Sequence, residues 1–143
     1  MRQDQRAFAD GGDLAFAALI LARLRNGGRP GPRALEQAPL IERWAVTARD
    51  QIFELTGIVW RLPLSRSLFA GPLLAIDPGA GWARTLDEWV VISDPRSACC
   101  VDSIAPDEVA RRAAAWLRRQ LDARAADGAK QKFTRHVPAV TAI

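Results

Sequence analysis

The chain of 143 residues has no tyrosine, one histidine and only two cysteines, which stand side by side at Cys99 and Cys100. Each scarcity removes a class of chemistry. Nucleophilic catalysis needs a nucleophile with a positioned base, and the single histidine, His136, lies close to the C-terminus near Pro138. A zinc site needs ligands whose spacing converges on one point, and two adjacent cysteines with one distant histidine do not converge. A disulfide between neighbours would staple nothing distant, so the thiols read as free and the chain as cytoplasmic. Long hydrophobic runs are missing as well. The longest, Leu14–Ala22, has nine residues, whereas a bilayer span needs roughly 20. Asp4, Asp10 and Asp13 precede it and Arg23 and Arg25 follow it, the reverse of a secretory signal. No membrane partner is expected, and nothing calls for a cofactor or a metal.

Lysine is nearly absent too, because 18 of the 20 basic residues are arginine. Against 16 acidic residues this leaves a net charge of +4, unevenly spread. Residues 1–39 carry net +2, residues 40–95 net −2 and residues 96–143 net +4. Arginine presents a planar fork of donors that suits phosphates and carboxylates, so a basic face toward the C-terminus is a candidate binding surface.

What is abundant is a core. Hydrophobic residues make up 49% of the chain, and although 26 of them are alanine, five Trp and five Phe are among the rest. A domain of this length buries roughly two-thirds of its unfolded surface, so it needs neither disulfides nor metal to fold. Asp13 can cap a helix from Leu14 to Arg25 that Asn26-Gly27-Gly28 would close. Leu14, Phe16, Leu19, Ile20, Leu21 and Leu24 lie nearly all round that helix, which therefore needs cover on more than one side; a homodimer is one way to supply it. Pro32 opens a short helix through Gln37.

From Trp44 the pattern turns to strands: Trp44–Ala48, Ile52–Trp60, Leu73–Asp77 and a long strand Trp82–Ser93. Asp77-Pro78-Gly79-Ala80-Gly81 reads as a hairpin turn between the last two. Pro63 and Pro72 bracket a segment expected to be a loop. Pro106, Asp107 and Glu108 open a second long helix. Val109, Ala113, Trp116, Leu117 and Leu121 share one stripe of it, with Arg111, Arg112, Arg118 and Arg119 opposite, and Asp127-Gly128 should end it. The expected architecture is one α+β domain over residues 1–128, with an antiparallel sheet of three to four strands packed against an N-terminal and a C-terminal helix. A flexible basic tail over residues 129–143 completes the expectation.

The stretch Leu74–Leu86, LAIDPGAGWARTL, resembles the LxALDPxxGWARTL core of a family of short alphaproteobacterial proteins of unknown function found in chromosomes, plasmids and prophages. The similarity extends over roughly residues 35–93, and Arg61-Leu62-Pro63 stands where that family carries Gly-His-Pro. The resemblance implies a shared fold and a bacterial or mobile-element origin. Within the matched core, Trp82 and Arg84 share a strand face, and Arg84 either pairs with a carboxylate, stacks on an indole or meets a ligand.

No catalytic constellation emerges, since Asp87 and Glu88 are strand neighbours that face opposite ways. Two functions remain. The first is a non-enzymatic protein that binds another protein, such as a mobile-element accessory factor or inhibitor (an anti-defence protein, for example) acting on a nucleoprotein complex. The second is weakly specific nucleic-acid binding through Arg111, Arg112, Arg118 and Arg119. Trp82 and Arg84 are the further candidates for partner contact.

Overall fold

The computed structural model describes residues 11–49, 51–97 and 104–141, with side chains from residue 14 to residue 128 in those ranges. Cys99 and Cys100 lie outside the described residues, as does the side chain of His136. The elements are α1 (Gly11–Arg25), α2 (Pro32–Gln37), β1 (Leu40–Arg49), β2 (Ile52–Arg61), β3 (Ser65–Asp77), β4 (Trp82–Thr85), β5 (Trp89–Ile92) and α3 (Pro106–Thr141).

The sheet is a five-stranded closed barrel, not the open sheet of three or four strands expected from the sequence. Each strand is antiparallel to its successor. Five alternating strands leave the first and last pointing the same way, so the closing pair must be parallel. Leu40 and Ile41 of β1 accordingly face Val91 and Ile92 of β5 in parallel register.

Two local readings hid this closure. The expected long strand Trp82–Ser93 breaks at Leu86–Glu88, where the Thr85 hydroxyl donates to the Glu88 carbonyl (3.1 Å) and accepts the Glu88 N–H (3.3 Å). The side chain of one threonine thus turns a strand into a hairpin. The expected loop between Pro63 and Pro72 is mostly strand, because Ser65–Pro72 pair residue by residue with Arg61–Glu54.

Two apolar layers hold the domain. Inside the barrel lie Ile41, Trp44, Leu55, Val59, Leu73, Ile76, Ala83, Val90 and Ile92, and Val109 of α3 caps one end. Outside, Leu14, Ala17 and Leu21 of α1 pack with Ala113 and Leu117 of α3 onto Ile52, Leu74 and Leu86. The stripe expected on α3 is therefore the packed one: Val109, Ala113 and Leu117 are buried, Trp116 and Leu121 half-buried. On α1, Phe16 and Leu19 remain 55% and 48% exposed.

Local punctuation behaves as read. Gly27 adopts φ 93°, and the N–H groups of Gly28 and Gly27 bond the carbonyls of Arg23 (2.9 Å) and Leu24 (3.1 Å) to close α1. In the β3–β4 turn the Asp77 carboxylate accepts the Ala80 N–H (3.1 Å). The expected stop at Gly128 is not observed, since α3 continues through it to Thr141. An interior glycine costs a helix only about 1 kcal/mol, less than a helix of this length can absorb.

Candidate binding surface

Trp82 and Arg84 lie on the outer face of β4 and are both buried. Arg84 is paired across the strands with Trp89, whose ring meets that of Trp82 edge-on at 5.7 Å. The Arg84 guanidinium lies 5.3 Å from the Trp89 ring centre and 5.9 Å from that of Phe16 on α1. Of the three roles open to it in the sequence, stacking on an indole is the one the packing displays. Only 5% of Arg84 reaches solvent, and its Nε has no hydrogen-bond partner. Burial pushes the guanidinium pKa down, and the carboxylates of Asp87 and Glu88 oppose that shift. Arg84 is thus enclosed by its neighbours, whereas Trp82, though buried, lines a cavity beside Asp77 and Pro106.

The four arginines of α3 form two columns. Seven residues are nearly two turns, so Arg111 stacks with Arg118 and Arg112 with Arg119, about 100° apart. Arg112 is drawn down onto the barrel, 4.8 Å over the Phe53 ring of β2, and its Nε donates to Glu108 (2.8 Å). Arg111 donates to the same Glu108 carboxylate, and these two bonds hold the Glu108 pKa below its ordinary value. Arg118 and Arg119 are exposed and form no ion pair among the described residues. Half of the expected basic face is thus engaged within the domain.

The larger feature lies where no helix packs. An open groove of about 1090 Å³ runs over β1, β2 and β3, with Thr56, Ile58 and Leu68 along it and Arg43, Arg49 and Arg96 at its rim. A bulge in β1 places Arg43 there. Glu42 pairs with Ile58 and Ala45 with Thr56, so Arg43 and Trp44 together oppose Gly57. Ile41 faces the barrel interior, and strict alternation would turn Arg43 inward as well. The extra residue reverses the phase: Trp44 enters the core, where its Nε1 donates to the Ser93 carbonyl (2.6 Å), and Arg43 goes out. Arg43 adopts φ 51°, a left-handed conformation that costs a side-chain-bearing residue roughly 1–2 kcal/mol. Arg96 is fixed beside it by a backbone bond from its N–H to the Trp44 carbonyl (2.8 Å). Arg49 pairs with Glu54 at 3.1 Å.

The groove runs into the arm formed by β2 and β3. Leu62, Leu64 and Leu68 are 91%, 88% and 89% exposed. Next to the turn of the arm the Arg66 guanidinium lies 5.6 Å over the Trp60 ring, and Arg61 grips Glu88 through two bonds of 2.8 and 2.6 Å. Sequence reading missed this surface, although Arg61-Leu62-Pro63-Leu64-Ser65-Arg66 carries a signal: two leucines beside a turn proline, with arginine at each end.

A second cavity, about 640 Å³ between the end of α1 and the start of α3, sets Arg25, Arg29 and Arg111 against Asp77 and Asp107. Its charges largely offset one another. Among the described residues no three His, Cys, Asp or Glu side chains gather as metal ligands, and no helix is long and apolar enough to cross a membrane. No family model, curated protein or solved structure matches the chain.

Proposed function

We propose that the protein is a non-enzymatic binding protein that docks on another protein through the β2–β3 arm and the groove beside it. The observation that carries this reading is the exposure of Leu62, Leu64 and Leu68 next to a groove rimmed by arginine. Single exposed leucines are ordinary, but several on one projecting arm make an apolar surface that water disfavours. Arginine around an apolar centre is the usual composition of a protein interface, with the apolar part buried and the charges at the rim. The complementary partner is an acidic protein surface with an apolar recess. A bacterial or mobile-element origin, which the resemblance of Leu74–Leu86 implies, would suit an accessory factor or inhibitor acting on a nucleoprotein complex.

Capture of partners from a lysate of the organism that carries the protein, with and without nuclease, tests this. Protein partners that remain after nuclease support docking on protein. Partners that vanish support the second reading, weakly specific nucleic-acid binding through the α3 arginines, which the exposure of Arg118 and Arg119 favours. In that case affinity for a DNA duplex falls steeply with salt, by about one unit of log–log slope per phosphate contact.

A further inference from the structure

A closed barrel should have no free edge, yet β3 is longer than its neighbour on one side. On the β2 side it is paired from Ser65 to Pro72, whereas β4 joins it only from Leu73 to Asp77. Among the described residues, then, no strand covers the other edge of Ser65–Gly71. In an antiparallel ladder the N–H and C=O of one residue point to the same side and alternate along the strand. The Pro72 carbonyl accepts the Leu86 N–H (3.2 Å), away from β2. Counting back in twos, the backbone groups of Ala70, Leu68 and Arg66 face the same open side.

Exposed edges are normally blunted by charge, proline or a bulge. Here Arg66 is the one charged residue in the segment, and Leu68 at its centre is 89% exposed.

We propose that this edge pairs with the same edge of a second copy, β3 to β3, antiparallel about a twofold axis at Leu68. The sequence Ser65-Arg66-Ser67-Leu68-Phe69-Ala70-Gly71 is self-complementary in that register. Leu68 meets its counterpart, Arg66 faces Ala70, Ser67 faces Phe69, and Ser65 faces Gly71. No like charges oppose each other, and the two Arg66 side chains stand roughly 14 Å apart along the strands, beyond the Debye length at physiological salt. The outward backbone groups of Arg66, Leu68 and Ala70 in both copies would form about six hydrogen bonds. An isologous contact of this kind closes on itself, so it yields a dimer and not a fibre. It joins the two arms edge to edge at Leu68 and Ala70, which also line the groove, and leaves the rest of the groove lining, Arg43, Arg49, Thr56, Ile58 and Arg96, outside the contact in each copy.

Sedimentation equilibrium of the full chain from micromolar to millimolar concentration, with the variants Leu68→Pro, Ala70→Pro and Leu19→Glu, tests the inference. Proline at Leu68 or Ala70 removes an outward N–H and leaves the β2 ladder intact, so thermal melts should stay close to the parent. The expected result is a monomer–dimer equilibrium weakened at least about tenfold by either proline, which deletes two bonds across the axis, and unchanged by Leu19→Glu. A monomer at every concentration overturns the inference. So does a dimer that survives both proline variants, or one lost with Leu19→Glu, which would put the contact on α1.

Discussion

Gly57 lies directly against the bulge at Arg43, so closely that any side chain there would collide with it. A Cβ on Gly57 would fall 2.6 Å from Ile41 Cγ2 and 2.9 Å from the Glu42 carbonyl oxygen. The glycine permits the bulge, the bulge puts Trp44 in the core and Arg43 at the groove, and the surface depends on both. Gly57→Ala should therefore destabilise the domain by about 1–3 kcal/mol, the range for overpacking. A shift of the urea midpoint at unchanged slope would show it. An unchanged midpoint would mean that the bulge is not held this tightly.

Arg43→Gly asks the opposite question. Glycine relieves the left-handed strain of roughly 1–2 kcal/mol but gives the unfolded chain about 0.4–1 kcal/mol of extra freedom. Stability should stay level or rise slightly, while partner binding weakens as the groove loses one rim cation. A clear loss of stability would show that Arg43 serves the fold and not the surface.

Arg84 is a buried cation with no ion pair among the described residues, held against Trp89 and Phe16. A buried charge without an ion-pair partner carries a desolvation cost that no paired charge offsets, so an apolar side chain of similar volume should be neutral or stabilising there. Arg84→Met should melt at or above the parent temperature in calorimetry. A markedly lower melting temperature would mean that the guanidinium is doing something the stacking does not account for.

The start of α3 should carry an acid-sensitive contribution. Bonds from Arg111 and Arg112 hold the Glu108 pKa below its ordinary value of 4.5. A carboxylate with a depressed folded-state pKa stabilises above its unfolded value, and the contribution is lost as pH falls through the folded one. Glu108→Gln should thus be less stable than the parent near neutrality and converge with it in strong acid. Parallel pH profiles for the two proteins would contradict this.

How much of this was legible in the sequence follows from how local each feature is. The Asn26-Gly27-Gly28 stop, the turn at Asp77–Gly81 and the α3 stripe of Val109, Ala113 and Leu117 depend on a few consecutive residues, and all were readable. Barrel closure depends on Leu40 meeting Val91 across the whole sheet, which no window of sequence shows. Thr85 broke a strand that alternation drew as continuous. The first half of β3 hid behind Pro63 and Pro72, since its strand character comes from pairing with β2. On the candidate surface, the α3 arginines were visible by helical spacing, but the pull of Phe53 on Arg112 was not. Arg43 faces outward because of a bulge, and a strict period of two assigns it to the core.

The central claim is that partners dock on the arm and groove, and not on the α3 arginines. The most direct measurement compares nuclease-treated capture by the parent, by a variant with Leu62, Leu64 and Leu68 changed to serine, and by one with Arg111, Arg112, Arg118 and Arg119 changed to glutamine. The serine variant should stay folded, because surface changes usually cost within about 0.5 kcal/mol each; the glutamine variant also loses the contacts of Arg111 and Arg112 with Glu108 and of Arg112 with Phe53, so its thermal melt is read beside its binding. The serine variant should lose the partner and the glutamine variant should keep it. Retention by the serine variant together with loss by the glutamine variant would contradict the claim.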